Sequence, residues 1–101
     1  AIITHHKPDA DALGSSLGLA HYLRLKNHDV TVVTPSDYPD FLTWMPGNDT
    51  VVVYTKEKAP LVRTVFENSD VIFCLDFSSL KRIHELGDWV AASPAKKVLV
   101  D

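Results

Sequence analysis

Short, nearly continuous apolar runs alternate along the chain with segments whose apolar residues recur every three or four positions. The runs are rich in β-branched residues and have the length of strands that are covered on both faces. They are Ile2–Thr4, Val30–Thr34, Val51–Tyr54, Val71–Leu75 and Lys97–Val100. The pattern therefore predicts five strands.

The segments between these runs predict helices. Apolar residues repeat with helical spacing over residues 12–23. A second helix is predicted over 60–66, because its leading proline is tolerated in a first turn, and a third over 80–86. Residues 38–47 contain two prolines and a glycine and predict a short helical turn followed by a loop. Strands alternating with helices through right-handed crossovers favour a three-layer α/β/α, Rossmann-like fold with a mostly parallel sheet of about five strands.

Composition and charge narrow the range of functions. The chain has 101 residues, which is room for one small domain, and 46% hydrophobic with 23% charged residues is typical of globular proteins. No apolar run approaches the roughly 20 residues that cross a bilayer, and no signal peptide is visible, although the first residue is Ala1. The single cysteine, Cys74, fits a reducing compartment, so we expect a cytoplasmic protein without membrane contact. A net charge of −3 argues against general attraction for long nucleic acids.

Carboxylates and an imidazole follow three of the predicted strands. His5, Asp9 and Asp11 follow the first strand, Asp76 the fourth and Asp101 the fifth. We expect these side chains at one edge of the sheet, because the carboxyl ends of parallel strands meet there. Clustered carboxylates resist ionising together, and divalent cations relieve that repulsion. Imidazole and carboxylate donors suit manganese, with zinc and iron left open.

The spacing within the first segment favours two cations and a phosphate. Asp9 and Asp11 lie two positions apart, so they do not share a helical face and could bind different ions. The predicted helix N-terminus carries free amides and partial positive charge. Gly14 removes a side chain near this end, and Ser15 and Ser16 add hydroxyls. Together these features suit a bound phosphate.

Structural readings compete at several of these positions. An aspartate before a helix is usually an N-cap, so for Asp9 or Asp11 taken alone a cap and a metal ligand both stay open. Cys74 is expected to be a small buried apolar residue. Trp44 and Met45 are expected to cover the sheet edge rather than contact a base. The combination of one imidazole and several carboxylates still favours a metal site.

Two motifs resemble those of a known family. The run His5–Ser15 is similar to the first motif of the DHH phosphoesterases, and Asp76–Ile83 resembles the second. Asp101 follows a predicted strand, where the family places the Asp of its Asp-His-His signature. The Ala-x-Gly-Ser continuation of the first motif and the segment Tyr38–Gly47 resemble the nanoRNase and 3′-phosphoadenosine 5′-phosphate phosphatase branch. The resemblance implies that residues 1–101 are the N-terminal part of a DHH domain, truncated at that Asp and lacking the C-terminal substrate-binding domain.

For the site, the resemblance implies a two-metal centre. His5 and Asp9 would bind one ion and Asp11 the other, while Asp76 would bridge both. Asp101 would lie close by, orienting rather than ligating. The four aspartates would then be the catalytic residues. The expected ions are two Mn²⁺, with Mg²⁺ or Co²⁺ as substitutes.

The implied activity is hydrolysis by a metal-activated water. The substrates implied are short oligonucleotides or 3′-phosphoadenosine 5′-phosphate, and the fragment alone is expected to be inactive. Ser15 and Arg82 are candidates for substrate contact, the arginine through a phosphate. A homodimer of the complete protein stays an option. Two alternatives remain open: a family II pyrophosphatase-like hydrolase, and a non-catalytic nucleotide- or phosphate-binding domain whose carboxylates are only caps.

Overall fold

The structure is a computed structural model that describes residues 1–5, 9–36, 44–75 and 86–100. Within these residues, all five predicted strands are confirmed, although the first three are shorter than predicted. The elements in chain order are β1 (Ile2–Ile3), α1 (Ala10–Leu25), β2 (Val32–Thr34), β3 (Val52–Val53), α2 (Ala59–Asn68), β4 (Val71–Leu75), α3 (Leu86–Ala92) and β5 (Lys96–Val100). A 3-10 turn, Asn48–Thr50, precedes β3.

The strands form one sheet in the order β3-β2-β1-β4-β5. Each described pair of neighbouring strands is parallel. The chain adds β2 and β3 on one side of β1 and then returns to place β4 on its other side. The strand order therefore reverses between β1 and β4, and ligands of doubly wound sheets bind beside such a reversal, at the carboxyl ends of the strands.

Helices cover both faces of the sheet, which confirms the three-layer architecture. Ile2 and Val32 pack on the face covered by α1, whereas Ile3 and Val33 pack on the face covered by α2 and α3. This division follows from the strand geometry, in which successive side chains point to opposite faces. The fully buried helical residues that fill these two cores are Leu13 and Ala20 from α1, Val62 from α2, and Leu86 and Val90 from α3.

The helix predictions are confirmed where the structure describes them. Helix α1 extends the predicted 12–23 by about a turn in total, and α2 has Pro60 in its first turn as expected. Of the third predicted helix, residues 80–85 lie outside the described part, and α3 begins at Leu86. Residues 38–43 also lie outside it. In the part that is described, no helix has the length and hydrophobicity needed to cross a membrane.

A buried serine joins the two helices of one face. The Ser93 hydroxyl donates to the carbonyl of Phe66 in α2 at 2.7 Å, and it accepts from the N–H of Ala95 at 3.2 Å. Ser93 directly follows α3, so this hydroxyl links the ends of α2 and α3. Both residues of the Ser93–Phe66 bond are buried, so the bond is shielded from water.

Candidate metal and phosphate site

The central strand ends beside its two neighbours at the carboxyl edge of the sheet. Ile3 lies opposite Val33 of β2 and Cys74 of β4. Pairing with β2 continues one residue beyond β1, because the Thr4 N–H donates to the Val33 carbonyl at 3.4 Å. His5 comes next and is partly buried. The structure therefore brings the imidazole-bearing segment to the position where the strand order reverses.

Asp9 caps helix α1. Its backbone is extended, with φ −90° and ψ −176°, and its Oδ1 accepts the N–H of Ala12 at 2.9 Å. The N-cap interpretation of Asp9 is therefore correct. It does not exclude a cation, because an ionised carboxylate has about four lone-pair sites and this bond uses one. Asp9 is also exposed, so its remaining sites face solvent.

The first turns of α1 present one exposed, polar face. Gly14 and Ser15 follow Asp11 by three and four positions, so both are its neighbours on the helix, and all three residues are exposed. A Cβ added at Gly14 would have no heavy atom within 4 Å, so the backbone there is open to approach. Ser16 behaves differently from the expectation, because it is fully buried and its hydroxyl donates to the Ala12 carbonyl at 2.8 Å. Of the two serines, only Ser15 is exposed to solvent.

Three predicted site residues lie outside the described residues, namely Asp76, Arg82 and Asp101. Their assigned roles stay predictions. Among the residues that are described, no three or more His, Cys, Asp or Glu side chains come together to hold a metal ion. The donor types at this edge, imidazole from His5 and carboxylate from Asp9, nevertheless fit a divalent cation such as Mn²⁺.

Two buried hydroxyls that were not predicted lie at this edge of the sheet. Thr4 and Thr34 are fully buried at the carboxyl ends of β1 and β2. The Thr4 hydroxyl donates to the His5 carbonyl at 3.2 Å, whereas the Thr34 hydroxyl has no hydrogen-bond partner among the described residues. The signal was present in the sequence, because each threonine is the last residue of its predicted strand.

Cys74 is buried one residue before the end of β4, as expected. Burial raises the pKa of its thiol to about 11, and the nearby Lys97 opposes this only in part. At neutral pH the side chain is therefore a thiol and not a nucleophilic thiolate.

Met45 and Trp44 were both expected to cover the sheet edge. Met45 does pack on the α1 side of the core, but the expectation for Trp44 is wrong, because this side chain is 73% exposed. Its place in an irregular loop explains the error, because no helical or strand period indicates which side faces the core.

A cleft of about 670 Å³ opens at the opposite, amino-terminal edge of the sheet. Its walls include Ala1, the end of α1 and the residues that lead into β4. None of the predicted site residues lines it. We therefore place the candidate site at the carboxyl edge, where parallel sheets bind their ligands.

The fold and the position of these side chains define a doubly wound, parallel α/β domain with a candidate cation and phosphate site where the strand order reverses. The match to the DHH family, N-terminal domain, extends over residues 1–101, and the chain belongs to this family. The nanoRNase and phosphoadenosine-phosphate phosphatase branch stays a prediction.

A solved structure supports the same fold. The chain is similar to an exopolyphosphatase-related protein from Bacteroides fragilis, with 46% sequence identity over 99% of this chain and a TM-score of 0.95. The alignment covers 29% of that protein, so this sequence spans less than a third of its length. Comparison with curated proteins gives no match.

Proposed function

We propose that the complete protein that carries this domain is a metal-dependent phosphoesterase. Its substrates would be short oligonucleotides, 3′-phosphoadenosine 5′-phosphate, or both. The observation that carries the proposal is the delivery of His5 and Asp9 to the carboxyl edge of the central strand in a member of the DHH family. The name of the related structure, exopolyphosphatase-related, also supports cleavage of a bond to phosphorus.

His5, Asp9, Asp11 and Asp76 are the residues that would hold the metal ions. The bond from the Ala12 N–H fixes one oxygen of Asp9 at 2.9 Å and so limits the orientations of the other. A pre-oriented ligand loses less conformational entropy when it binds. When bound, divalent ions would supply an activated water and neutralise charge on the phosphoryl oxygens.

Charge favours a metal-dependent enzyme over a phosphate-binding module. Asp9 and Asp11 add two carboxylates to the N-terminus of α1, where a phosphate would otherwise bind. Two like charges about 4 Å apart repel by about 1 kcal/mol in water and by about 4 kcal/mol near a protein surface. The helix terminus contributes only about 0.3–1 kcal/mol of attraction when exposed. A cation beside the carboxylates would offset this repulsion and so favour a bound phosphate at this edge.

Metal titration tests the proposal. Mn²⁺ is titrated by calorimetry into the chain and into its Asp76→Asn variant near pH 7.5. We expect the chain to bind Mn²⁺ and the variant to bind at least about tenfold more weakly, a loss of about 1.4 kcal/mol. Asp70→Asn is the matched control, because Asp70 directly precedes β4 in the sequence while Asp76 directly follows it. It removes the same charge and should leave the affinity unchanged.

If the chain binds no Mn²⁺, the titration is repeated on a version extended to the length of the related structure. Absence of binding there as well would refute the metal-dependent phosphoesterase. Equal weakening by Asp70→Asn and Asp76→Asn would reduce the effect to net charge and remove Asp76 from the site.

An inorganic substrate is the second candidate. The exopolyphosphatase-related name of the similar structure favours it, as does the absence of a strongly basic composition. The extended protein is assayed with Mn²⁺ on a dinucleotide, 3′-phosphoadenosine 5′-phosphate, pyrophosphate and polyphosphate in parallel. A kcat/KM at least tenfold higher for the organic substrates would support the phosphoesterase, and the reverse order would support the inorganic alternative.

A further inference from the structure

Two buried threonines lie on adjacent strands at the carboxyl edge of the sheet. The register pairs Ile3 with Val33, so the next residues, Thr4 and Thr34, are neighbours on adjacent parallel strands. Both share strand parity with residues of the α1-covered face, Ile2 and Val32 respectively. Both are fully buried. The sheet thus places two buried threonines on adjacent strands at the edge that carries the candidate site.

The first hydroxyl is tied to the candidate metal ligand. Thr4 donates to the carbonyl of His5 at 3.2 Å. This bond constrains the orientation of the His5 carbonyl and so the backbone that carries the imidazole. Removal of a group that orients a metal ligand typically lowers the metal affinity by about 10–100-fold.

The second hydroxyl lacks a partner in the described part of the chain. A buried hydroxyl without a hydrogen bond destabilises the folded state, so a side-chain orientation of Thr34 that gives its hydroxyl a hydrogen bond is strongly favoured. Neighbouring strands are about 4.8 Å apart, which brings two threonine hydroxyls within hydrogen-bond reach when their side chains turn toward each other. The Thr4 oxygen can accept this bond while it donates to His5, because a hydroxyl has one donor and two acceptor sites.

We propose that Thr34 and Thr4 form a buried relay of hydroxyls in which Thr34 donates to Thr4 and Thr4 donates to the His5 carbonyl. Both are positioning residues, and they act on the site through His5. The metal-related part of this inference rests on the proposed function. The relay itself does not, because its hydrogen bonds contribute to folding with or without metal.

Thermal unfolding tests the relay without metal. Thr34→Val keeps the shape of the side chain and removes only the hydroxyl. If Thr34 donates to Thr4, its loss should lower the Tm by roughly 4–8 °C, the value of one hydrogen bond in a domain of this size. Thr4→Val should also lower the Tm, and the double variant should fall by less than the sum of the two changes, because both remove the same bond. A Thr34→Val variant with an unchanged or higher Tm would overturn the relay.

Mn²⁺ affinity tests the positioning role. Thr4→Val should weaken binding by about tenfold, and Thr4→Ser, which restores a hydroxyl, should bind within about twofold of the wild type. Thr64→Val is the matched control, because the Thr64 hydroxyl also donates to a carbonyl, that of Pro60 at 2.9 Å, but at an exposed position of α2. It should leave the affinity unchanged.

The two proposals fail in different ways. Wild-type affinity in Thr4→Val would overturn the positioning role and leave the metal site intact. A wild-type chain that binds no Mn²⁺, also after extension, would refute the proposed function and the positioning role, while a lowered Tm in Thr34→Val would still support the relay.

Discussion

Asp9 has a structural role that is visible and a chemical role that is proposed, and two substitutions separate them. Asparagine keeps a side-chain oxygen that can accept the Ala12 N–H, whereas alanine keeps none. Neither retains a carboxylate. Asp9→Asn should therefore preserve the cap and remove the anionic ligand, and Asp9→Ala should remove both.

The expected stability changes follow from this geometry. Loss of the cap bond costs about 1 kcal/mol, within a range of about 0.5–2 kcal/mol, and asparagine is as good an N-cap as aspartate. Either variant also loses the attraction between a negative charge and the helix N-terminus, about 0.3–1 kcal/mol at an exposed position. We therefore expect Asp9→Asn to lose about 0.5 kcal/mol and Asp9→Ala about 1.5 kcal/mol. With roughly 4–8 °C per kcal/mol, the two variants should differ by several degrees in Tm.

Metal binding should follow a different order. Both variants should bind Mn²⁺ at least tenfold more weakly, because an amide oxygen does not replace a carboxylate as an anionic ligand. The measurements are urea or thermal unfolding without metal and calorimetric titration with it. Asp88→Asn is the control, because Asp88 is an exposed acidic residue in the first turn of α3. It tests the effect of removing one negative charge near a helix start.

Two results would refute this reasoning. If Asp9→Asn binds Mn²⁺ with wild-type affinity, Asp9 is a cap and not a ligand, and the proposed site loses one of the three residues that follow β1. If Asp9→Ala is as stable as the wild type, the bond to Ala12 contributes nothing measurable, and the separation of roles has no basis.

Three further predictions concern the opposite face of the sheet. Ser93→Ala should lower the free energy of unfolding by about 1–3 kcal/mol in urea denaturation, because it leaves the buried carbonyl of Phe66 without its donor. Phe66→Ala should cost about 3–5 kcal/mol in the same assay, since the ring is 1% exposed and its loss leaves a cavity. Burial raises the pKa of Cys74 from 9.0 to about 11. Above pH 9 the unfolded thiol therefore ionises while the folded one does not, so stability should fall between about pH 9 and pH 11, and Cys74→Ala should lack this part of the fall.

The fold was predictable because its signals are local. Each strand is a short apolar run, and α1 and α2 have apolar residues at helical spacing, so burial on both faces of the sheet follows from the pattern alone. The length of the strands was less predictable. β2 begins at Val32 rather than Val30, because pairing depends on the neighbouring strands and not only on β-branched side chains.

Ser15 and Ser16 illustrate a signal that was present but unused. Buried Ala12 and Leu13 fix the inward direction of α1, and Ser16 follows them by four and three positions. Residues with these spacings lie on one helical face, so the phase of the helix places Ser16 inside and leaves Ser15 outside. Of the two hydroxyls predicted near a bound phosphate, only that of Ser15 is therefore on the exposed face.

The threonine pair shows what the sequence could not supply. Thr4 and Thr34 are thirty positions apart in the sequence. Their proximity depends on β1 pairing with β2, in parallel, in the register that sets Ile3 beside Val33. A shift of one residue would turn one threonine to the other face of the sheet and separate the hydroxyls. A candidate ligand such as His5 can thus be identified from a motif, whereas the groups that orient it emerge only once strand order and register are fixed. The same argument applies to Asp9, whose bond to Ala12 gives it a structural reason to occupy the N-cap. An aspartate at this position is therefore insufficient evidence for metal binding, and the comparison of Asp9→Asn with Asp9→Ala is needed to assign the chemistry.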